Sequence, residues 1–175
     1  LMDLWERHAG PLESLTAEMS RDASVERRLR AIIDTQSVTG WPADELHTRL
    51  THFAREMPRV EAALRAFSRG DAEALGLLAA ASHGDADALL RNQLPETNAL
   101  VAMARRNGAF ASSAFGAGFG GSVWALVDTR REDPDLFAER WLAGYLTAFP
   151  AHAAKSATFA ARPGIPLTSL MGDVE

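Results

Sequence analysis

Apolar residues recur at helical spacing through the first half of the chain. Leu46, Leu50, Phe53, Met57, Val60, Leu64 and Phe67 follow one another in steps of four and three. Such spacing draws one continuous apolar stripe along a helix. Pro58 falls inside the stripe, and a proline removes an i→i−4 hydrogen bond, so a kink or a split into two helices is expected there. Arg49, Arg55, Glu56, Arg59, Glu61, Arg65 and Arg69 take the other faces. Gly70 is a natural stop, and Asp71 can cap a short next helix. That helix turns Leu75, Leu78 and Ala79 inward and ends near Ser82, His83 and Gly84. Upstream, residues 1–36 read as helical, broken near Gly10 and Pro11 and again between Ser20 and Ser24. Leu29, Ile32 and Ile33 give the later segment its apolar face, and residues 38–42 read as a loop. Residues 95–107 predict a helix with Pro95 in its first turn, Leu100, Val101 and Ala104 inward, and Gly108 at its end.

The period changes after Gly108. Residues 111–115 and 122–127 read as strands around a glycine-rich turn. Asp133 followed by Pro134 is a helix start. Leu136, Phe137, Trp141, Leu142, Tyr145, Leu146 and Phe149 give that helix a broad apolar face. Residues 156–161 read as a last strand, ended by Arg162, Pro163 and Gly164. The pattern predicts an α+β fold: a small antiparallel sheet with helices on one face, preceded by a helical section. The chain reads as one domain, 1–175, with a helical lead-in (1–45), a helical part (46–107) and a part holding the glycine motif, strands and a helix (108–175). No period of 20–50 residues repeats, which excludes a solenoid.

Composition narrows the chemistry. The 175 residues are 47% apolar and 23% charged, as in ordinary globular domains. Cysteine is absent, so disulfides, Cys-based metal sites and a thiol nucleophile are excluded. A net charge of −5 argues against a nucleic-acid partner. Lys155 is the only lysine beside 17 arginines, so no phosphate loop of the lysine type exists here. The first residues lack the basic and apolar regions of a signal peptide. Residues 108–127 carry no charge, but their glycines and serines make a membrane helix unfavourable. A cytoplasmic protein with no membrane partner is expected.

The most informative segment is Gly116-Ala117-Gly118-Phe119-Gly120-Gly121, followed by Ser122. Its glycines free the backbone for positive φ and remove side chains that would block close approach. Successive N–H groups in such a turn form a concave site for an anion such as phosphate. A bare glycine-rich hairpin is the plainer reading. Phe119 is expected to pin the loop by burying its ring. The spacing is not the dinucleotide fingerprint, because a strand follows rather than a helix. His47 and His52 stand five apart, which is not the spacing of a helical zinc pair, and they read as surface or packing histidines. His83 reads either as a cleft residue or as a histidine at a helix C-terminus. Glu56 and Arg59 read as a helix-neighbour pair. Asp85 and Asp87 point to different sides, against a paired-carboxylate site. The four tryptophans are scattered, which suits packing better than a stacking platform.

Gly108, Ala109 and Phe110, the loop at 116–121 and the run 122–127 together resemble the third motif of the GHMP small-molecule kinases, in its galactokinase form. The resemblance extends upstream in order. Arg49, His52, Glu56, Arg59 and Val60 resemble the family's R-x-x-H-x-x-x-E-x-x-R-V helix. Ser82 and His83 resemble its S-H pair, and Pro95, Glu96, Leu100 and Val101 its P-E-x-D-x-L-V helix. The match covers residues 49–127, with a weaker echo at 159–166. Departures lie at Asn98, Ser113, Phe115 and Ser122, where the family carries Asp, Arg, Thr and often Cys. These put galactose itself in doubt more than the fold.

The resemblance implies a ferredoxin-like C-terminal half that closes over substrate held by the protein's own N-terminal kinase domain. The serine-rich nucleotide loop and the family's catalytic residues are not in this sequence, so the chain reads as a half cut before residue 1 and inactive alone. ATP and Mg²⁺ are the cofactors implied for the full-length protein, with none bound by this chain alone, and a sugar is the implied acceptor. Gly116, Ala117, Gly118, Phe119, Gly120 and Gly121 are the implied binding residues, with no catalytic residue or metal ligand assigned here. An exposed apolar face, where the other half would dock, gives the fragment a route to self-association. The alternatives are a non-catalytic binding module on the same fold and a relative acting on another sugar or a polyol.

Overall fold

The hydrophobic pattern folds into seven α-helices and one β-hairpin in a computed structural model that describes residues 1–9 and 14–162. The helical lead-in comprises α1 (Met2–Ala9), α2 (Leu15–Arg21) and α3 (Ser24–Thr35). Ser14 caps α2 by accepting the Ala17 N–H at 3.3 Å. Leu4, Trp5, Leu15, Val25, Leu29 and Ile33 close on Leu46 and Leu50 of α4 (Ala43–Arg69) to form a first core. Fully burying a side chain such as Leu29 or Leu50 stabilises the fold by about 1.5–3 kcal/mol. The break expected near Gly10 and Pro11 lies outside the described residues, as does everything expected beyond Arg162.

Helix α4 departs from expectation twice. It runs unbroken through Pro58 for 27 residues. Packing at both ends overrides the one lost hydrogen bond: α3 holds the first half, and α5 (Ala72–Asp85) holds the second. The apolar stripe is also only half buried. Leu46 and Leu50 are inside, whereas Val60 and Leu64 are each 68% exposed and Phe67 is 60% exposed. Ala63 and Ala66 take the inward side of that half, against α5 and the sheet.

The α4–α5 turn follows the sequence. Gly70 takes the left-handed conformation with φ +65°, and Asp71 accepts the Ala74 N–H at 3.0 Å. α5 runs on past the expected stop at 82–84 and continues into a π-helical turn, Ala86–Leu90. α6 (Pro95–Arg106) begins as expected, and the N–H of Leu94, just before it, donates to Thr97 Oγ1.

Strands β1 (Ala111–Ala114) and β2 (Val123–Leu126) pair antiparallel, with Ala111 opposite Leu126 and Ala114 opposite Val123. Period-two alternation gives the hairpin two working faces. Trp124 and Leu126 join Ala66, Leu75, Ala79 and Ala111 in a second core, against α4 and α5. Val123, Ala125 and Val127 join Ala104, Phe137 and Trp141 in a third, against α6 and α7 (Pro134–Ala148). The small antiparallel sheet is therefore present, but helices cover both faces rather than one. α5 comes so close to the hairpin that a Cβ on Gly76 would stand 2.2 Å from the Phe110 carbonyl oxygen.

The cap at Asp133 forms as expected, accepting the N–H groups of Asp135 and Leu136. Trp141 donates its Nε1–H to Leu100 O at 2.9 Å, joining α7 to α6. The last strand expected at 156–161 does not form. After a 3₁₀ turn, Pro150–Lys155, the chain leaves extended at Ser156 but joins no ladder among the described residues. Its described tie is Thr158 Oγ1, which donates to Ala138 O on α7 at 3.2 Å. Alternating small residues satisfy the strand pattern without supplying a partner edge.

Candidate functional site

The glycine motif is the tip of the hairpin. Phe115 N–H donates to Ser122 O at 2.8 Å and closes the ladder. The loop of residues 116–121 then bulges out with positive φ at Gly116, Gly118, Phe119, Gly120 and Gly121. All six predicted site residues are thus together on one short loop. Among the described residues, the N–H groups of Ala117, Gly118, Gly120 and Gly121 meet no protein acceptor. Free backbone donors on a glycine-rich turn are one requirement of an anion-binding turn.

Phe119 does not pin the loop as expected. Its ring is 72% exposed, and its φ of +61° is unusual for a bulky residue. The hold comes from Asn92, on the other side of the turn. Asn92 O accepts the Phe119 N–H at 2.5 Å, and Asn92 Nδ2 donates to Ala117 O at 2.9 Å. Gly118 lies so close that an added Cβ would sit 2.4 Å from Asn92 O. Glycine is therefore required there for space as well as for φ +86°. The spacing of motifs gave no sign of Asn92. It stands in the polar tract Arg91-Asn92-Gln93 before Leu94 and Pro95, where nothing sets one amide apart from the other.

Two further ties fix the base of the loop. His83 Nδ1 accepts the Ala114 N–H at 3.4 Å at the end of β1, and its Nε2 meets Asn98 Oδ1 at 2.9 Å. Because Nδ1 accepts, the hydrogen is on Nε2 and is donated to Asn98. His83 therefore bridges α6 and the hairpin, which is more than the helix-end role weighed from the sequence. Beside it, Arg59 binds Glu56 at 2.8 Å and Asp85 at 2.5 Å. Arg55 binds Asp85 at 3.0 Å, and Ser82 donates to Glu56 at 2.6 Å. Burial opposes the charge on Asp85, but hydrogen bonds and charge from Arg59 and Arg55 outweigh it, so its carboxyl titrates below the usual range. This network locks α4 to α5 beneath the hairpin.

The remaining candidates lie elsewhere. His47 pairs with Asp34 at 2.7 Å on the helix surface. Trp5, Trp124 and Trp141 pack in the three cores, and Arg49 lies over the exposed Trp41 ring at 4.8 Å. Phe115, in the position where the resembled motif carries Thr, is 69% exposed beside the loop. Asn98 is already engaged by His83.

Comparison with known proteins places this geometry. Residues 60–145, from the second half of α4 to α7, match the family model described as GHMP kinases C terminal. The chain carries a GHMP kinase C-terminal domain. Among solved structures, a crystal structure of Lactococcus lactis galactokinase complexed with galactose is similar, with 22% identity and a TM-score of 0.56. The similarity covers 80% of this chain and 39% of the galactokinase chain. At that identity the likeness is one of fold. Within this GHMP kinase C-terminal domain the glycine loop, β1, β2, α5 and α6 all lie inside the matched segment. The three-helix lead-in lies outside it. Among the described residues no helix is long and apolar enough to cross a membrane, and the uncharged stretch at 108–127 is the hairpin itself.

Proposed function

We propose that this chain is the cleft-closing, C-terminal part of a galactokinase-like sugar kinase that transfers the γ-phosphoryl group of ATP to a sugar hydroxyl. The observation that carries the reading is the loop at 116–121, with free backbone N–H groups at Ala117, Gly118, Gly120 and Gly121. Its backbone suits one wall of a cleft beside the phosphates and the acceptor. Phosphoryl transfer asks the protein mainly for positioning and for donors aimed at the phosphate oxygens. Gly116, Ala117, Gly118, Phe119, Gly120 and Gly121 form that wall in this reading, with the free N–H groups of Ala117, Gly118, Gly120 and Gly121 as its donors, and His83 and Asn92 keep its geometry.

The implied nucleotide and Mg²⁺ fit this chain unequally. The loop's donors suit phosphate oxygens. No group of three or more His, Asp or Glu able to hold a metal ion exists among the described residues. The metal would supply charge neutralisation on the phosphates, held by groups outside those described here. The protein's own N-terminal kinase domain is the partner that this reading requires, and the cytoplasm its compartment. The acceptor is a sugar or a polyol, and Ser113 and Phe115 keep it open beyond galactose.

The test is a phosphorylation screen of the longer protein containing this chain, with ATP and Mg²⁺ against a panel of sugars and polyols. Turnover on at least one is expected, and none by purified residues 1–175. Absence of turnover on the whole panel overturns the kinase reading in favour of a binding module. Turnover by 1–175 alone overturns the half-enzyme reading.

A further inference from the structure

A loop with four glycines and an unburied Phe119 has little of its own to hold it in one shape. The hold is a line of hydrogen bonds that starts inside α6. Leu94 N–H donates to Thr97 Oγ1 at 3.0 Å. The Thr97 hydroxyl donates to Gln93 Oε1 at 3.1 Å, with Leu94 O a second acceptor at 3.0 Å. Gln93 Nε2 donates to Asn92 Oδ1 at 2.9 Å, and Asn92 Nδ2 donates to Ala117 O at 2.9 Å. From Thr97 through Gln93 and Asn92 to Ala117 the bonds point one way, from the helix to the loop, so each donor is strengthened by the one behind it. Thr97 is 2% exposed and Asn92 8%. At such burial an unpaired amide or hydroxyl is costly, which fixes the relay in this arrangement.

We propose that Thr97, Gln93 and Asn92 are positioning residues that hold the glycine loop in its ligand-ready shape. The hold follows from the geometry, and its catalytic consequence rests on the sugar-kinase reading above. Thr97 makes no hydrogen bond to the loop. The hydrogen-bonded path from Thr97 to the loop therefore runs through both amides, beside the packing of Leu94 near Gly120.

The test is amide hydrogen exchange in the 175-residue chain. Thr97→Val keeps the shape but removes the hydroxyl, both as donor to Gln93 and as acceptor of the Leu94 N–H. Exchange at the Phe119 N–H is expected to quicken about tenfold, as for the loss of one buried hydrogen bond. The Ala109 N–H, bonded to Ala104 O at the far end of α6, should keep its rate. Thr97→Ser should restore slow exchange at Phe119. Unchanged Phe119 exchange in Thr97→Val, or no rescue by Thr97→Ser, overturns the proposal. If Ala109 also quickens, α6 itself has loosened. Asn92→Asp, which sets a carboxylate oxygen against Ala117 O, then carries the same test, and unchanged Phe119 exchange there overturns the proposal. In the longer protein the same variants should lower kcat about tenfold with less change in KM for the sugar. Unchanged kcat overturns the catalytic part. A parent protein without sugar turnover instead refutes the kinase reading, and the exchange data still decide the relay.

Discussion

Two glycines of α5 should respond to the same substitution with opposite sign. A Cβ at Gly76 would stand 2.2 Å from the Phe110 carbonyl oxygen, a backbone atom that no rotamer change can move. Ordinary contact at ~3.2 Å requires α5 and the hairpin to part by about 1 Å. That opening runs through the second core, where Leu75 and Ala79 of α5 meet Ala66 and Ala111. Overpacking of this kind costs about 1–3 kcal/mol. Alanine returns ~1 kcal/mol of helix propensity over glycine. Gly76→Ala should therefore destabilise the chain by up to about 2 kcal/mol. Gly84, on the same helix, has nothing within 4 Å of an added Cβ. Gly84→Ala should gain most of the propensity, about 0.5–1 kcal/mol. The assay is urea denaturation followed by circular dichroism, with thermal melts in parallel. For a chain of this size each kcal/mol moves the melting temperature by about 2–4 °C. Gly76→Ala at least as stable as Gly84→Ala would refute the close approach of α5 to the hairpin.

Other outcomes are equally definite. Gly118→Ala, which meets Asn92 and opposes φ +86°, should depress kinase turnover of the longer protein far more than it lowers the melting temperature of the chain. Equal losses would make the loop a structural turn only. Asp85 titrates lower in the folded chain than its ordinary value of 3.8, so its contribution is full above that pH and fades as pH falls through the folded value. Asp85→Asn should weaken the chain at neutral pH and flatten the acid side of its stability profile. An unchanged acid limb would refute the pairing with Arg59 and Arg55. Leu64→Glu on the exposed half of α4 should leave stability within about 0.5 kcal/mol and reduce any self-association seen by sedimentation. A drop of several kcal/mol would mean that this face is buried.

Much of the chain was legible because local signals agreed. Gly70, Asp71, Pro95 and Asp133 each mark a boundary by their own backbone or capping chemistry, and each boundary stands where expected. The hairpin was legible because its glycines separate two short apolar runs. What failed depended on partners distant in sequence. The stripe from Leu46 to Phe67 has one period throughout, yet small Ala63 and Ala66 win the inner side of the second half because the sheet lies too close for Leu64. Residues 156–161 alternate like a strand, but alternation does not provide an edge to pair with. Phe119 was expected to anchor the loop because large rings usually bury. A carbonyl and an amide of Asn92 do that work, and no periodicity marks an amide 25 residues away.

Helix α4 has a mechanical consequence. Its 27 residues make a rod about 40 Å long. One end is cemented among α1–α3 and the other beneath the hairpin. The lead-in and the glycine loop are thus joined by a single stiff member rather than by a linker. Its one point without a backbone donor is Pro58, close to the middle. A bend of ~10° there would swing the far end at Arg69, about 16 Å away, through ~3 Å. A tilt about Pro58 would carry α5, the hairpin and the loop as one piece.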